Sequence, residues 1–256
     1  MILQTWYLFQ LQPELRYLLF VFFGSLCSYN FHMLMTPGIY GGSEKMQWSV
    51  RHRWLHLALF LLGLAGAGYY VLHLLEHWPW LMATAFITFM YSAPKVPFPI
   101  FRDIKKIAIG KTVFLALVWT HSTALLPLVV SQVHWQGTHG LFILNRFFLI
   151  YAICVVFDFR DREEDKREGI RTLITYLSER GINILFWCCL LLFAFTTLLL
   201  YRQGFAAADC IALFLPGLIL ALLYDYSKKQ PSDVLYLFVL DGLMMFSAVL
   251  LFLLHL

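Results

Sequence analysis

Asp158, Asp161 and Asp165 are the residues best placed to do chemistry. They lie in the stretch CVVFDFRDREEDKREGIRTL, residues 154–173, and six of the fifteen acidic side chains fall between Asp158 and Glu168. On a helix the three aspartates stand at i, i+3 and i+7, roughly 0°, 300° and 340° around a 3.6-residue wheel, so they share one face. Like charges crowded on one face repel. A hard divalent cation relieves that repulsion, because Mg²⁺ is held by one or two carboxylates, several waters and the oxygens of a phosphate ligand. The same stretch also reads as a solvated helix face, since Arg160, Arg162, Lys166, Arg167 and Arg171 are interleaved with the acids. Asp158 with Arg162 and Glu163 with Arg167 stand at i,i+4 spacing, the usual pattern of a wet mixed-charge helix. Spacing alone leaves both readings open.

The elements that must position these acids are membrane spans. The 256 residues are 61% apolar, 18% aromatic and 13% charged, whereas a soluble domain is about half apolar and about a quarter charged. Eight apolar stretches of crossing length recur, at roughly 16–35, 54–74, 78–94, 112–131, 141–158, 182–201, 204–224 and 233–255. They are continuously apolar rather than alternating, which predicts an all-α bundle of about eight transmembrane helices instead of a barrel. The chain is expected to form one polytopic domain, 1–256. Tyr91-Ser92 and Tyr226-Ser227, each followed by lysines four helices apart, suggest two parallel halves, 1–135 and 136–256.

Sixteen of the nineteen Lys and Arg residues fall in the first, third, fifth and seventh loops between these spans. Basic residues are retained inside, so both termini are expected outside and the Asp-rich loop in the cytoplasm, in the cytoplasmic membrane if the source is a bacterium. The net charge of +4 is then a signal of sidedness. No basic patch is organised for a phosphate backbone, so the expected surroundings are the lipid bilayer and not nucleic acid. The first fifteen residues lack the basic start of a signal peptide, and residues 1–12 read as an interfacial segment.

Other chemistry-bearing residues read more plainly. His73-Leu74-Leu75-Glu76-His77 matches HxxEH, a zinc-protease pattern, but stands at a span end before Trp78-Pro79 with no third ligand apparent. His121 and Asp241 fall within spans, where an ionisable group is costly and tends to be paired or functional. The five cysteines form no CxxC pair and read as small packing residues.

The stretch from Asp158 to Leu173, DFRDREEDKREGIRTL, resembles the second aspartate-rich motif of the UbiA superfamily of intramembrane prenyltransferases, DxxDxxxDxxxGxxT. Gly169 and Thr172 keep their offsets, and Gly181 precedes the next span. The stretch YSAPKVPFPIFRDIKKIAIGK, residues 91–111, resembles that family's connection into a helix bearing a tryptophan, here Trp119. Family members have nine spans with the amino terminus inside, so the resemblance implies the same bundle lacking one N-terminal helix.

The resemblance implies a function as well. Two Asp motifs would face a central cavity and hold Mg²⁺ against the diphosphate of a polyprenyl donor, whose ionisation leaves a carbocation for a hydrophobic, usually aromatic, acceptor to capture. Asp158, Asp161 and Asp165 would be the catalytic and metal-binding residues, and Asn30, Lys105, Lys106 and Arg171 would bind substrate. The family's first motif is an Asn-Asp followed by further Asp residues. Here Ser28-Tyr29-Asn30-Phe31-His32 keeps only Asn30, no Asp precedes Asp103, and Phe157 stands where a Lys is common. That departure admits a second expectation, a non-catalytic isoprenoid-binding relative or an accessory membrane protein.

Overall fold

A computed structural model describes residues 1–35, 44–92, 111–167, 172–230 and 232–255. Every regular element among them is helical, as expected of an all-α membrane protein. The chain packs as two compact units, one made of Met1–Pro13 with Asp103–Leu256 and the other of Glu14–Arg102.

The larger unit holds α1 (Ile2–Leu8), α6 (Lys111–Thr120), α7 (Leu126–Val130), α8 (Gly137–Arg167), α9 (Leu173–Tyr176), α10 (Glu179–Arg202), α11 (Ala207–Lys229) and α12 (Asp241–Leu254). Helix α8 is its axis. The run Leu149–Val156 is buried at every position, so this helix is apolar all round and enclosed on all sides. Ala116 of α6, Phe186 and Phe193 of α10, Leu220 and Tyr224 of α11 and Leu243 of α12 close the core around it. At the opposite end from the acids, Tyr7 packs at a tilt against His255, and Phe9 packs at a tilt against His139 and edge-on against Phe205. The two ends of the chain therefore lie at one end of this unit. Helix α1, within the segment expected to be interfacial, buries Ile2, Gln4, Thr5 and Trp6.

Two π-helical segments interrupt the unit, at His121–Leu125 and Leu235–Leu240. The first has a clear cause. Pro127 has no N–H, so it cannot bond the Thr123 carbonyl four residues back, and its ring crowds that carbonyl. The widened turn relieves the clash. The Thr5 hydroxyl of α1 then donates to the Thr123 oxygen at 2.7 Å, replacing the missing helical donor.

The smaller unit runs α2 (Leu15–Met35), α3 (Glu44–Arg51), α4 (Arg53–Val71), a 3₁₀ segment (Leu72–His77) and α5 (Trp78–Ser92). Helices α2 and α4 pack antiparallel: Leu34 O accepts from Arg53, and Phe23 stacks on Tyr70. Gly63 permits this closeness. A Cβ there would lie 2.5 Å from the backbone nitrogen of Cys27 and 2.9 Å from the Phe23 carbonyl oxygen. Contacts between small residues are what membrane helices use when lipid provides no hydrophobic drive to associate.

Among the described residues, the eight expected spans become seven helices long and apolar enough to cross a membrane: 15–35, 53–90, 112–130, 137–163, 179–202, 207–229 and 235–254. The second and third expected spans are joined without a turn. Val71, Leu72 and Trp78 all keep right-handed helical dihedrals through the 3₁₀ segment. Pro79 falls in the first turn of α5, where proline is tolerated. At 1.5 Å per residue the 38-residue element is about 57 Å long, nearly twice the roughly 30 Å hydrocarbon core.

Because backbone cannot yield as a flexible side chain does, Gly63→Ala should destabilise the protein by about 1–3 kcal/mol. Gly68→Ala, with nothing within 4 Å of its Cβ, should be neutral or stabilising by up to about 1 kcal/mol. Thermal unfolding of both variants in detergent measures the contrast.

Candidate functional site

Helix α8 has 31 residues, about 46 Å of helix, and so outruns the hydrocarbon core. Its last turns carry Asp158, Asp161 and Asp165 on one continuous α-helix, the conformation on which their shared face depends. Two of the three are turned inward: Asp158 is 7% exposed and Asp165 6%. The Thr112 hydroxyl at the start of α6 donates to the Asp158 carboxylate. Asp161, partly exposed, accepts from Arg160 Nε at 2.7 Å.

Glu163 and Arg162 make bonds other than the expected i,i+4 pairs. Glu163 is paired with Lys166 at 2.8 Å, and Arg162 donates to the Leu177 carbonyl at 2.7 Å. The turn between α8 and α10 explains that second bond: Thr172 caps α9 and Ser178 caps α10 through the Gly181 N–H, leaving Leu177 extended with its carbonyl open to Arg162. Thr172 and Gly181, singled out for their spacing, thus shape the chain that leaves the acidic helix.

Two cations at this end are held over aromatic faces. The Arg160 guanidinium lies 4.5 Å from the Tyr236 ring centroid and 5.5 Å from that of Phe157. Lys228 lies 4.3 Å from the Tyr224 ring and also bonds Asp225 and Asn183. Tyr224 in turn donates to Asn183 at 2.6 Å and stacks on Phe186 at 3.7 Å. Such contacts fix a cation in place. Phe157 serves as one wall for Arg160. Thr112, Tyr236 and Asn183 carried no sequence signal, because their roles depend on helices distant in the chain.

Further along α8 a second polar group was also passed over. Arg146 is 2% exposed within a membrane-spanning helix, and Asn145 is fully buried. Arg146 donates through Nε and Nη2 to Asn145 Oδ1 and through Nη1 to Ser247, which donates to Gln4 Oε1. Asn145 Nδ2 in turn donates to Thr197, Thr196 and the Phe193 carbonyl. An Asn-Arg pair inside an apolar span was the available signal. Among the described residues no carboxylate pairs with Arg146, whose contacts are neutral oxygens and the faces of Phe142 and Phe193.

Of the other expected site residues, Asn30 lies in the smaller unit, 2% exposed, with its amide nitrogen on the Leu26 carbonyl and its oxygen on His56. Lys105, Lys106 and Arg171 lie outside the described residues. His121 is buried in the first π segment, and Asp241 is exposed at the start of α12. His73, Glu76 and His77 occupy the 3₁₀ segment, with His77 against Glu76 at 3.2 Å. Among the described residues no three His, Cys, Asp or Glu side chains gather into a metal-holding group. Comparisons with family models, curated proteins and solved structures return no match for this chain.

The bond from Thr112 to Asp158 joins α6 to α8 at the acidic end. Thr112→Val keeps the shape and removes the donor, so it should cost about 1.5–3 kcal/mol, as expected for a hydrogen bond to a charged group. A double-mutant cycle with Asp158→Asn in detergent unfolding should show coupling between the two positions; additive losses would mean that the pair does not interact.

Proposed function

We propose that the chain is a UbiA-like intramembrane prenyltransferase that takes a polyprenyl diphosphate and, with Mg²⁺, passes its prenyl group to a hydrophobic acceptor, aromatic or lipid-like. The observation that carries this reading is the burial of Asp158 and Asp165. A solvated mixed-charge helix keeps its carboxylates in water, whereas these two are drawn into the bundle at the end of its central helix. The Thr112 hydroxyl offsets part of the cost of burying Asp158, and carboxylates enclosed at the end of a bundle are where a hard cation carrying a diphosphate could dock.

The donor set suits a hard cation. Carboxylate oxygens on one helix face supply a few ligands each, and a Mg²⁺ ion ordinarily completes its shell with water and phosphate oxygens, so a cluster of three protein ligands is not required. Seven residues separate Asp158 from Asp165, about 10 Å along the axis. That distance suits carboxylates flanking a diphosphate better than a single ion shared between them. Mg²⁺, when bound, would supply neutralisation of the departing diphosphate. Asp158 and Asp165 would orient the headgroup, while Arg160 and Lys228, steadied on their rings, would offer donors to its oxygens. In this proposal Lys105, Lys106 and Arg171 add positive charge to the same headgroup. The acidic end faces the cytoplasm and the termini face outward.

A second reading rests on Asn30. Its amide is engaged by Leu26 and His56, and no acid stands near it in sequence to rebuild a first metal motif. A non-catalytic relative that binds an isoprenoid diphosphate without turnover would need only the acidic end of α8.

The full chain in lipid nanodiscs, given geranylgeranyl diphosphate, should release pyrophosphate only when Mg²⁺ and an acceptor extract are present. Asp158→Asn and Asp165→Asn should each lower that rate at least about a hundredfold, the scale of losing a preorganised electrostatic contact. Mg²⁺-dependent binding without release would favour the second reading, and absence of any Mg²⁺-dependent binding would remove both.

A further inference from the structure

The smaller unit holds a separate constellation that the proposed prenyl chemistry does not use. Ser49 of α3, His56 of α4 and Asn30 of α2 form a hydrogen-bonded chain: Ser49 Oγ lies 2.9 Å from His56 Nε2, and His56 Nδ1 lies 2.8 Å from Asn30 Oδ1. All three are buried, at 7%, 7% and 2% exposure.

The direction of each bond follows from the anchor. Asn30 Nδ2 donates to the Leu26 carbonyl at 2.8 Å, so the atom facing His56 is the amide oxygen, which can only accept. His56 Nδ1 must then carry the proton. In the neutral imidazole Nε2 is left bare, and the Ser49 hydroxyl is its donor. A hydroxyl bonded to an unprotonated Nε2, on a ring whose other nitrogen is held by a third group, is the arrangement that makes serine a nucleophile. Three residues from three helices meet in it, and the ring is further fixed by the edge-on Trp48, 6.1 Å between centroids.

Its position indicates the electrophile. Asn30 is near the C-terminal end of α2 and His56 is in the first turn of α4, so the chain sits at the mouth of a membrane-spanning hairpin. Helix α3 places Trp48 and Val50, both exposed, on either side of Ser49. Exposed Trp beside the charged Arg51 and Arg53 is the composition of the interfacial layer, where ester carbonyls of lipids lie.

We infer that Ser49, His56 and Asn30 form an acyl-transfer site acting on a carboxylic ester of a lipid at the membrane interface. Ser49 Oγ attacks the ester carbonyl while its proton passes to His56 Nε2. The ester C–O bond breaks, and His56 returns that proton to the departing alcohol, leaving an acyl-Ser49 ester. Water then attacks the acyl carbonyl, gives one proton to His56 and releases the fatty acid, and the proton goes back to Ser49 Oγ. Asn30 is a positioning residue that holds the Nδ1–H tautomer.

The test is covalent labelling of the full chain in detergent micelles with an alkyl fluorophosphonate, whose P–F bond breaks as Ser49 Oγ bonds to phosphorus and fluoride leaves. Peptide mapping should place the label on Ser49 in folded protein and find none after heat denaturation. His56→Gln should slow labelling about a hundredfold or more, the ordinary contribution of a positioned general base. Asn30→Ala should slow it too, and Asn30→Asp, which still accepts from Nδ1–H, should restore it. Circular dichroism of each variant checks that the helices persist; if one fails to fold, labelling of the wild-type chain in competition with a long-chain ester decides. An unlabelled Ser49 in the folded wild type, or equal labelling of a folded His56→Gln, overturns the inference and leaves the three residues as a structural bond chain.

Discussion

The whole larger unit depends on one constraint: a helix surrounded on all sides by protein within a membrane must satisfy its polar groups from its neighbours. Helix α8 meets that constraint at two levels. In its apolar middle, Leu149 to Val156 ask for nothing but packing. Towards its start, Arg146 and Asn145 spread their donors over Thr196, Thr197, Ser247 and backbone carbonyls, and Ser247 donates on to Gln4, so that one buried charge ties α1, α10, α11 and α12 to the axis. The cost of an unsatisfied guanidinium in such surroundings makes each of those partners more than a local contact.

The same rule explains features that look incidental taken singly. Pro127 removes one backbone donor, the helix widens into a π turn, and Thr5 from a helix more than a hundred residues away in sequence closes the gap. Arg162, Thr172 and Ser178 settle the backbone where the chain leaves the acidic end. In each case the correction comes from an element that the local sequence does not name.

That is also where reading the sequence stopped. The membrane class, the spans flanking Arg146 and the single face of the three aspartates follow from composition and a 3.6-residue period, which are local properties, and the helix over Asp158 to Asp165 has the geometry assumed for it. The break between the second and third expected spans did not follow. His73, Glu76, His77 and Pro79 look like a membrane exit, yet a 3₁₀ segment carries the helix through them. Interleaved charge likewise suggested i,i+4 pairs, because periodicity counts only partners on the same helix. Arg160 on Tyr236, Arg162 on Leu177 and Thr112 on Asp158 involve partners 15 to 76 residues away that no window along α8 contains.

The two units answer the membrane's electrostatic cost in opposite ways. At the end of α8 two carboxylates are buried, Asp158 accepting from the Thr112 hydroxyl, and the cations Arg160 and Lys228 are anchored on aromatic rings. Around Asn30 the polar groups Ser49, His56 and Asn30 are matched to one another, and Asn30 Nδ2 closes the chain on the Leu26 carbonyl. A neutral chain survives burial where an isolated carboxylate would not, because desolvating a hydrogen-bonded hydroxyl, imidazole and amide costs far less than desolvating an ion. Asn30 meets the same need by pairing its amide oxygen with His56 Nδ1, which fixes the ring from a second helix without adding a charge to be desolvated.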